Sequence, residues 1–130
     1  MAFTFDQVHL GVPDPEAAAR WYRQYLGATP GDHTDRVMFG DTRFIFLKNE
    51  TPAPSHGAAI DHVGFSFADL DGSLKALDGS GMRVMTPVTE IAGLYRSGFI
   101  EDPWGTRIEL VEDPETEGFH HVHLQVPDPD

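Results

Sequence analysis

Glu101-Asp102-Pro103-Trp104-Gly105-Thr106-Arg107-Ile108-Glu109-Leu110-Val111-Glu112 is the stretch on which the fold of this chain turns. Asp102-Pro103-Trp104-Gly105 has the composition of a tight turn: proline presets φ, and glycine accepts a positive φ. The run after it is short, apolar and β-branched, which predicts a strand. Side chains alternate along a strand, so Ile108 and Leu110 share one face and Arg107, Glu109 and Val111 the other. Glu109 is the residue that plain core packing does not explain. A carboxylate on a sheet face is either solvated or held by a partner, because burying it alone costs several kcal/mol, on the order of 5.

Upstream, the chain reads as the same pattern twice. Phe3 to Val12 is strand-like, with Phe5, Gln7, His9 and Gly11 on one face and Val8, Leu10 and Val12 on the other. Asp14-Pro15-Glu16 predicts a helix start, with Asp14 as N-cap and Pro15 in the first turn. Ala17, Ala18, Trp21, Tyr22 and Tyr25 form an apolar stripe, and Gly27 suits the C-cap. Strands are expected at 36–39 and 43–48, and a linker at 49–58. The pattern then restarts. Ile60 to Phe67 is a strand with His62, Gly64 and Ser66 on one face. Asp69-Leu70-Asp71 opens a second helix with Leu70, Leu74 and Leu77 on its stripe. Strands follow at 82–85, 94–101 and 107–111, with a loop expected at 86–93. Gln7 to His62 and Asp14 to Asp69 are both 55 residues apart, and Thr42-Arg43 to Thr106-Arg107 is 64. Each copy is therefore strand, helix, strand, strand, strand, and the nine extra residues of the second copy are assigned mostly to the 86–93 loop.

A third start follows at an offset of 114. Phe119-His120-His121-Val122-His123-Leu124-Gln125-Val126-Pro127 repeats Phe5-Asp6-Gln7-Val8-His9-Leu10-Gly11-Val12-Pro13. The histidines look like a metal tract, but the repeat accounts for them better. Phe119, His121, His123 and Gln125 should share one face of this strand. Left unpaired it would be an aggregation-prone edge, so it is expected to order against a sheet of its own chain or of a neighbour. Placed there, His121 would stand where the first copy has Gln7.

Composition narrows the function classes. The chain has 130 residues, 40% of them hydrophobic, and reads as one domain. A net charge of −12 disfavours nucleic acid and anionic membrane and suits a cationic or metal-bound ligand. With no cysteine, disulfides and thiolate chemistry are excluded, and a metal would need His, Asp, Glu or Gln. No apolar run approaches membrane-spanning length, and the start does not resemble a signal peptide, so a cytoplasmic location is expected.

The βαβββ repeat, Leu26-Gly27 after the first helix, Asp102-Pro103-Trp104-Gly105 and Ile108-Glu109-Leu110 together resemble the vicinal oxygen chelate superfamily. That family includes glyoxalase I, extradiol dioxygenases, fosfomycin-modifying enzymes, methylmalonyl-CoA epimerases and bleomycin-binding proteins. The resemblance implies an α+β fold in which two βαβββ modules (3–50 and 58–112) pair into a cupped mixed sheet with helices on the convex face. It implies a single domain over 1–116, followed by the repeat strand at 117–130. It also implies metal ligands on the first and last strand of each module: Gln7, His62 and Glu109, with His9 on the same sheet face as Gln7. The fourth position falls on Ile45, which cannot bind metal. A divalent ion (Fe, Mn, Ni or Zn) would chelate the oxygens of a small-molecule substrate in lyase, isomerase or dioxygenase chemistry. Glu109 or His9 would move protons, and Tyr95, Arg96 and Phe99 would contact substrate. The alternative is a metal-free binding protein of the bleomycin-resistance type. A homodimer, formed through the C-terminal strand, completes the expectation.

Overall fold

The computed structural model describes residues 6–55, 60–91, 95–113 and 115–124. The chain divides into two compact units, Met1–Pro52 and Ala53–Asp130. The first contains β1 (Gln7–Val12), α1 (Pro15–Leu26), β2 (Thr29–Pro30), β3 (Arg36–Phe39) and β4 (Thr42–Lys48). The second contains β5 (Ile60–Ser66), α2 (Leu70–Leu77), β6 (Arg83–Ile91), β7 (Tyr95–Glu101), β8 (Arg107–Glu112) and β9 (Gly118–Leu124). Each unit opens with the expected βαβββ module, and the fold class is α+β.

In the first unit the sheet order is β1-β4-β3-β2, with β1 parallel to β4 because α1 carries the chain across the sheet. The helix starts where the sequence caps it. Asp14 Oδ1 accepts from the Ala17 amide at 3.2 Å, Pro15 occupies the first turn, and Gly27 ends the helix at φ 77°. Its buried stripe is Ala18, Ala19, Trp21, Tyr22 and Leu26, with Tyr25 half-buried at the margin. Tyr22 packs on Phe46 (ring centroids 5.0 Å) and Phe44 (6.2 Å). Burying each such ring contributes about 1.5–3 kcal/mol. On β1, Val8, Leu10 and Val12 are buried while Gln7 and His9 are exposed, as the alternation requires. Residues 1–5, including the expected strand start at Phe3, lie outside the described residues.

In the second unit the order is β6-β7-β8-β5-β9. The first four strands repeat the first unit: β5 runs parallel to β8 as β1 does to β4. The registers agree with the sequence repeat. His9 stands opposite Ile45 in one unit, and Gly64 stands opposite Glu109 in the other, 55 and 64 residues further on. Leu70 and Leu77 of α2 are fully buried, as are Val63, Phe65, Ile108 and Leu110 of the sheet. Asp69 caps α2 by accepting from the Gly72 amide at 3.0 Å, and Glu112 reaches across from β8 to the Leu70 amide at 3.0 Å. Both place negative charge at the positive end of the helix.

The turn before β8 is held by Asp102. Its buried Oδ1 accepts from the Trp104 and Thr106 amides, both at 2.9 Å, and Gly105 takes φ 100°. This fixes the start of β8, and with it which face receives Glu109.

Two expectations are corrected. The segment at 86–93 is not a loop up to residue 91: β6 continues through it and pairs with β7 as far as Ile91 opposite Tyr95. Thr86, Val88, Thr89 and Ile91 supply β-branched residues, and Pro87 is tolerated where the ladder is irregular, between Thr86 and Thr89. The second correction concerns β9. It pairs antiparallel with β5 of its own chain, with His121 opposite Gly64 but Phe119 opposite Phe65. His120 is the extra residue of a β-bulge there. The bulge turns Phe119 to the opposite face from His121, and Phe119 packs on Phe65 with ring centroids 5.9 Å apart.

Candidate metal centre

Three strands of the second unit deliver three ligand-type atoms to one point. His62 comes from β5, Glu109 from the adjacent β8, and His121 from β9 on the other side of β5. His62 Nε2 lies 3.2 Å from Glu109 Oε1 and 3.2 Å from His121 Nε2, and His121 Nε2 lies 3.0 Å from the same Glu109 oxygen. Gly64 makes the approach possible. A Cβ at that position would fall 2.2–2.7 Å from atoms of the His121 ring.

Each of these side chains is oriented by a further partner. His62 Nδ1 is 2.9 Å from Asp61 Oδ2, and that carboxylate also takes Nη1 of Arg107. The Arg107 guanidinium in turn lies over the Phe99 ring, 4.0 Å from its centroid. Phe99 meets His62 edge to face at 5.1 Å, and His123 stacks on the His62 ring at 4.8 Å. Ser97 Oγ donates to Glu109 Oε2 at 2.6 Å. His121 Nδ1 is 2.8 Å from His120 Nδ1, and His120 Nε2 is 3.0 Å from Asp113 Oδ2.

These contacts dictate where protons sit. A carboxylate only accepts, so His62 faces Asp61 with a proton on Nδ1, and a proton on Nε2 is what it donates to Glu109 Oε1. By the same logic His120 donates from Nε2 to Asp113, and His121 Nε2 faces an acceptor in Glu109 Oε1. Both Nε2 atoms face the Glu109 carboxylate. Burial pulls the His62 pKa down, but hydrogen bonds to Glu109 and Asp61 outweigh it and leave the value above the ordinary 6.5. Burial likewise pushes Glu109 up. Hydrogen bonds from His121, His62 and Ser97 overcome that and hold it far below the ordinary 4.5.

Of the residues expected at the site, the structure brings together His62, Glu109 and Phe99. Gln7 and His9 lie on the exposed face of β1 in the first unit, where Ile45 is the strand neighbour of His9. Tyr95 sits at the start of β7, opposite Ile91, half-buried. Arg96 points to the helix side of the sheet. It forms a bidentate pair with Asp71 (2.7 and 3.1 Å) and stands 3.7 Å from Glu112, away from the cluster. His121 is visible in the sequence through the repeat, as a substitute for Gln7, and it arrives from the chain's own tail. Asp61 and Ser97 give no such signal: each is a short polar residue in a strand, and only the folded register shows what it orients.

A family model described as Glyoxalase/Bleomycin resistance protein/Dioxygenase superfamily matches residues 4–110. Among solved structures, the chain is similar to a glyoxalase-related enzyme from Fulvimarina pelagi. The identity is 16%, the TM-score is 0.69, and 96% of this chain and 100% of that one are covered. It is also similar to a glyoxalase/bleomycin resistance protein/dioxygenase family enzyme from Burkholderia phytofirmans PsJN (13%, TM-score 0.68, 82% and 96%). A third is the oxidase ChaP-H1 (19%, TM-score 0.68, 88% and 98%). At these identities the likeness is one of fold. No curated protein matches the chain. Among the described residues, no helix is long and apolar enough to cross a membrane.

Proposed function

Since the chain belongs to the glyoxalase/bleomycin resistance protein/dioxygenase superfamily, we propose that it is a metal-dependent enzyme acting on a small molecule, with His62, Glu109 and His121 as the ligands of one divalent ion. The observation that carries this reading is the convergence of three ligand-type atoms. Two imidazole nitrogens and a carboxylate oxygen stand 3.0–3.2 Å from one another. A metal ion would take the place of the protons through which the imidazoles now meet the carboxylate. Ligand atoms held about 2.0–2.2 Å from an ion stand roughly 3.0–3.5 Å apart, so the spacing fits. The outer partners Asp61 and His120 orient the imidazoles in the way that supports metal ligation.

Two histidines and one carboxylate suit Fe(II), Mn(II), Ni(II) or Zn(II) and leave coordination positions for substrate oxygens. A bound ion supplies Lewis acidity or, if redox-active, electron transfer. The protein's own contribution is orientation and enclosure. Phe99 and His123 pack on His62, and Ser97 fixes the second oxygen of Glu109. The low pKa of Glu109 makes it a ligand and a poor proton acceptor near neutral pH.

Metal analysis of the purified full chain tests the reading. It should hold or take up one divalent ion per chain, and Glu109→Ala should lose it. Full occupancy in Glu109→Ala would remove the assignment.

A further inference from the structure

Strand β9 is bound to the rest of its sheet in an unusual way. It is an edge strand, added outside the module on the free side of β5. None of its residues is fully buried, and His123 and Leu124 are exposed. Its pairing with β5 is broken by two irregularities. The one aromatic anchor it gives to the helix side of the sheet is Phe119 on Phe65. Val122, half-buried, stands opposite Val63, and the other contacts are those of histidines: His121 in the notch over Gly64, His123 on His62, and His120 on Asp113. By contrast, His62 and Glu109 sit on β5 and β8, which are paired with each other inside the module.

We infer that the divalent ion is a clasp for the C-terminal strand, so that its binding decides whether the outer edge of β5 is covered. This rests on the metal reading above and goes beyond it. An ion held by His62 and Glu109 gains its third ligand only with β9 docked, so it binds the docked form more tightly than the undocked one. Linkage then requires that the ion stabilise docking. The short connection at 113–117 keeps β9 near its place when released, which makes docking reversible. Release exposes the backbone donors and acceptors of β5, an edge ready to pair with another strand. The clasp is particular to β9. The sequence-equivalent strand β1 offers Gln7 where β9 offers His121.

Hydrogen exchange of the full chain, read by mass spectrometry with and without saturating Zn(II), tests this. Zinc should slow exchange across Gly118–Leu124 and along β5 about tenfold or more, and leave β2 and β3 unchanged. In His121→Ala, zinc retained by His62 and Glu109 should give no protection to β9, and the unchanged exchange of β3 and β4 reports that this variant is folded. His121→Gln is the second variant should alanine disturb the strand. Zinc bound to saturation without slower exchange in β9 overturns the clasp and leaves the metal centre standing. Equal protection in His121→Ala also overturns it. Absence of zinc binding to the wild-type chain overturns both.

Discussion

Glu109 is where the charge balance of the second unit is decided. Its carboxylate is held ionised by His121, His62 and Ser97 against the effect of burial. Its depressed pKa contributes stability that is present above 4.5 and is lost as pH falls through its lower folded value. His62 works in the opposite sense. Its raised pKa contributes stability that is present below 6.5 and is lost as pH rises through the folded value. In the presence of a chelator, the stability advantage of the wild type over His62→Gln should therefore shrink as pH rises above 6.5 in thermal melts. An advantage that grew with pH would contradict the His62–Glu109 pairing. Metal affinity should run the other way and rise with pH, because the ion competes with the His62 proton. The sequence points to Glu109 because a carboxylate between Ile108 and Leu110 has no reason to be there as core. It points to His62 because the repeat aligns it with Gln7. It does not show Asp61 as the orienting partner, since a neighbour in sequence within a strand normally faces away.

Strands and turns carry these residues into place, and their failures should be specific. Asp102 is buried and accepts two backbone amides of the turn that sets β8. Asp102→Ala should destabilise the second unit by about 2–3 kcal/mol in denaturant melts, through amides left without an acceptor. A change within about 0.5 kcal/mol would mean the turn is fixed by something else. Gly64→Ala should expel the His121 ring and weaken zinc binding at least about tenfold by calorimetry, since the added Cβ meets the imidazole at 2.2–2.7 Å. Unchanged affinity would place the third ligand elsewhere. Both helices are legible because their ends are written in the sequence: Asp14-Pro15 and Gly27 for α1, Asp69 for α2. The second half of β6 is not, because Pro87 and the threonines around it look like loop, and only pairing with β7 makes them strand. The bulge at His120 is equally hidden, since nothing in Phe119-His120-His121 marks an extra residue.

Taken as one chain, the molecule is two copies of one module, and among the described residues only the second gathers a cluster of three residues that could hold a metal ion. Ile45 occupies in the first unit the register position that Glu109 occupies in the second. The repeat makes this asymmetry readable from the amino acids alone, and it also marks the tail as a third first strand. What it leaves open is where that strand docks. Pairing with β5 of its own chain is a choice among equivalent edges that sequence does not encode. The net charge of −12 favours accumulation of divalent cations near the surface, and this should make ion uptake faster at low ionic strength. The central claim is that His62, Glu109 and His121 ligate one ion. X-ray absorption of the zinc-loaded full chain counts the imidazoles around it. The account predicts two in the wild type and one in either His62→Ala or His121→Ala. A spectrum without imidazole, or with the same imidazole count in the double variant as in the wild type, would contradict it.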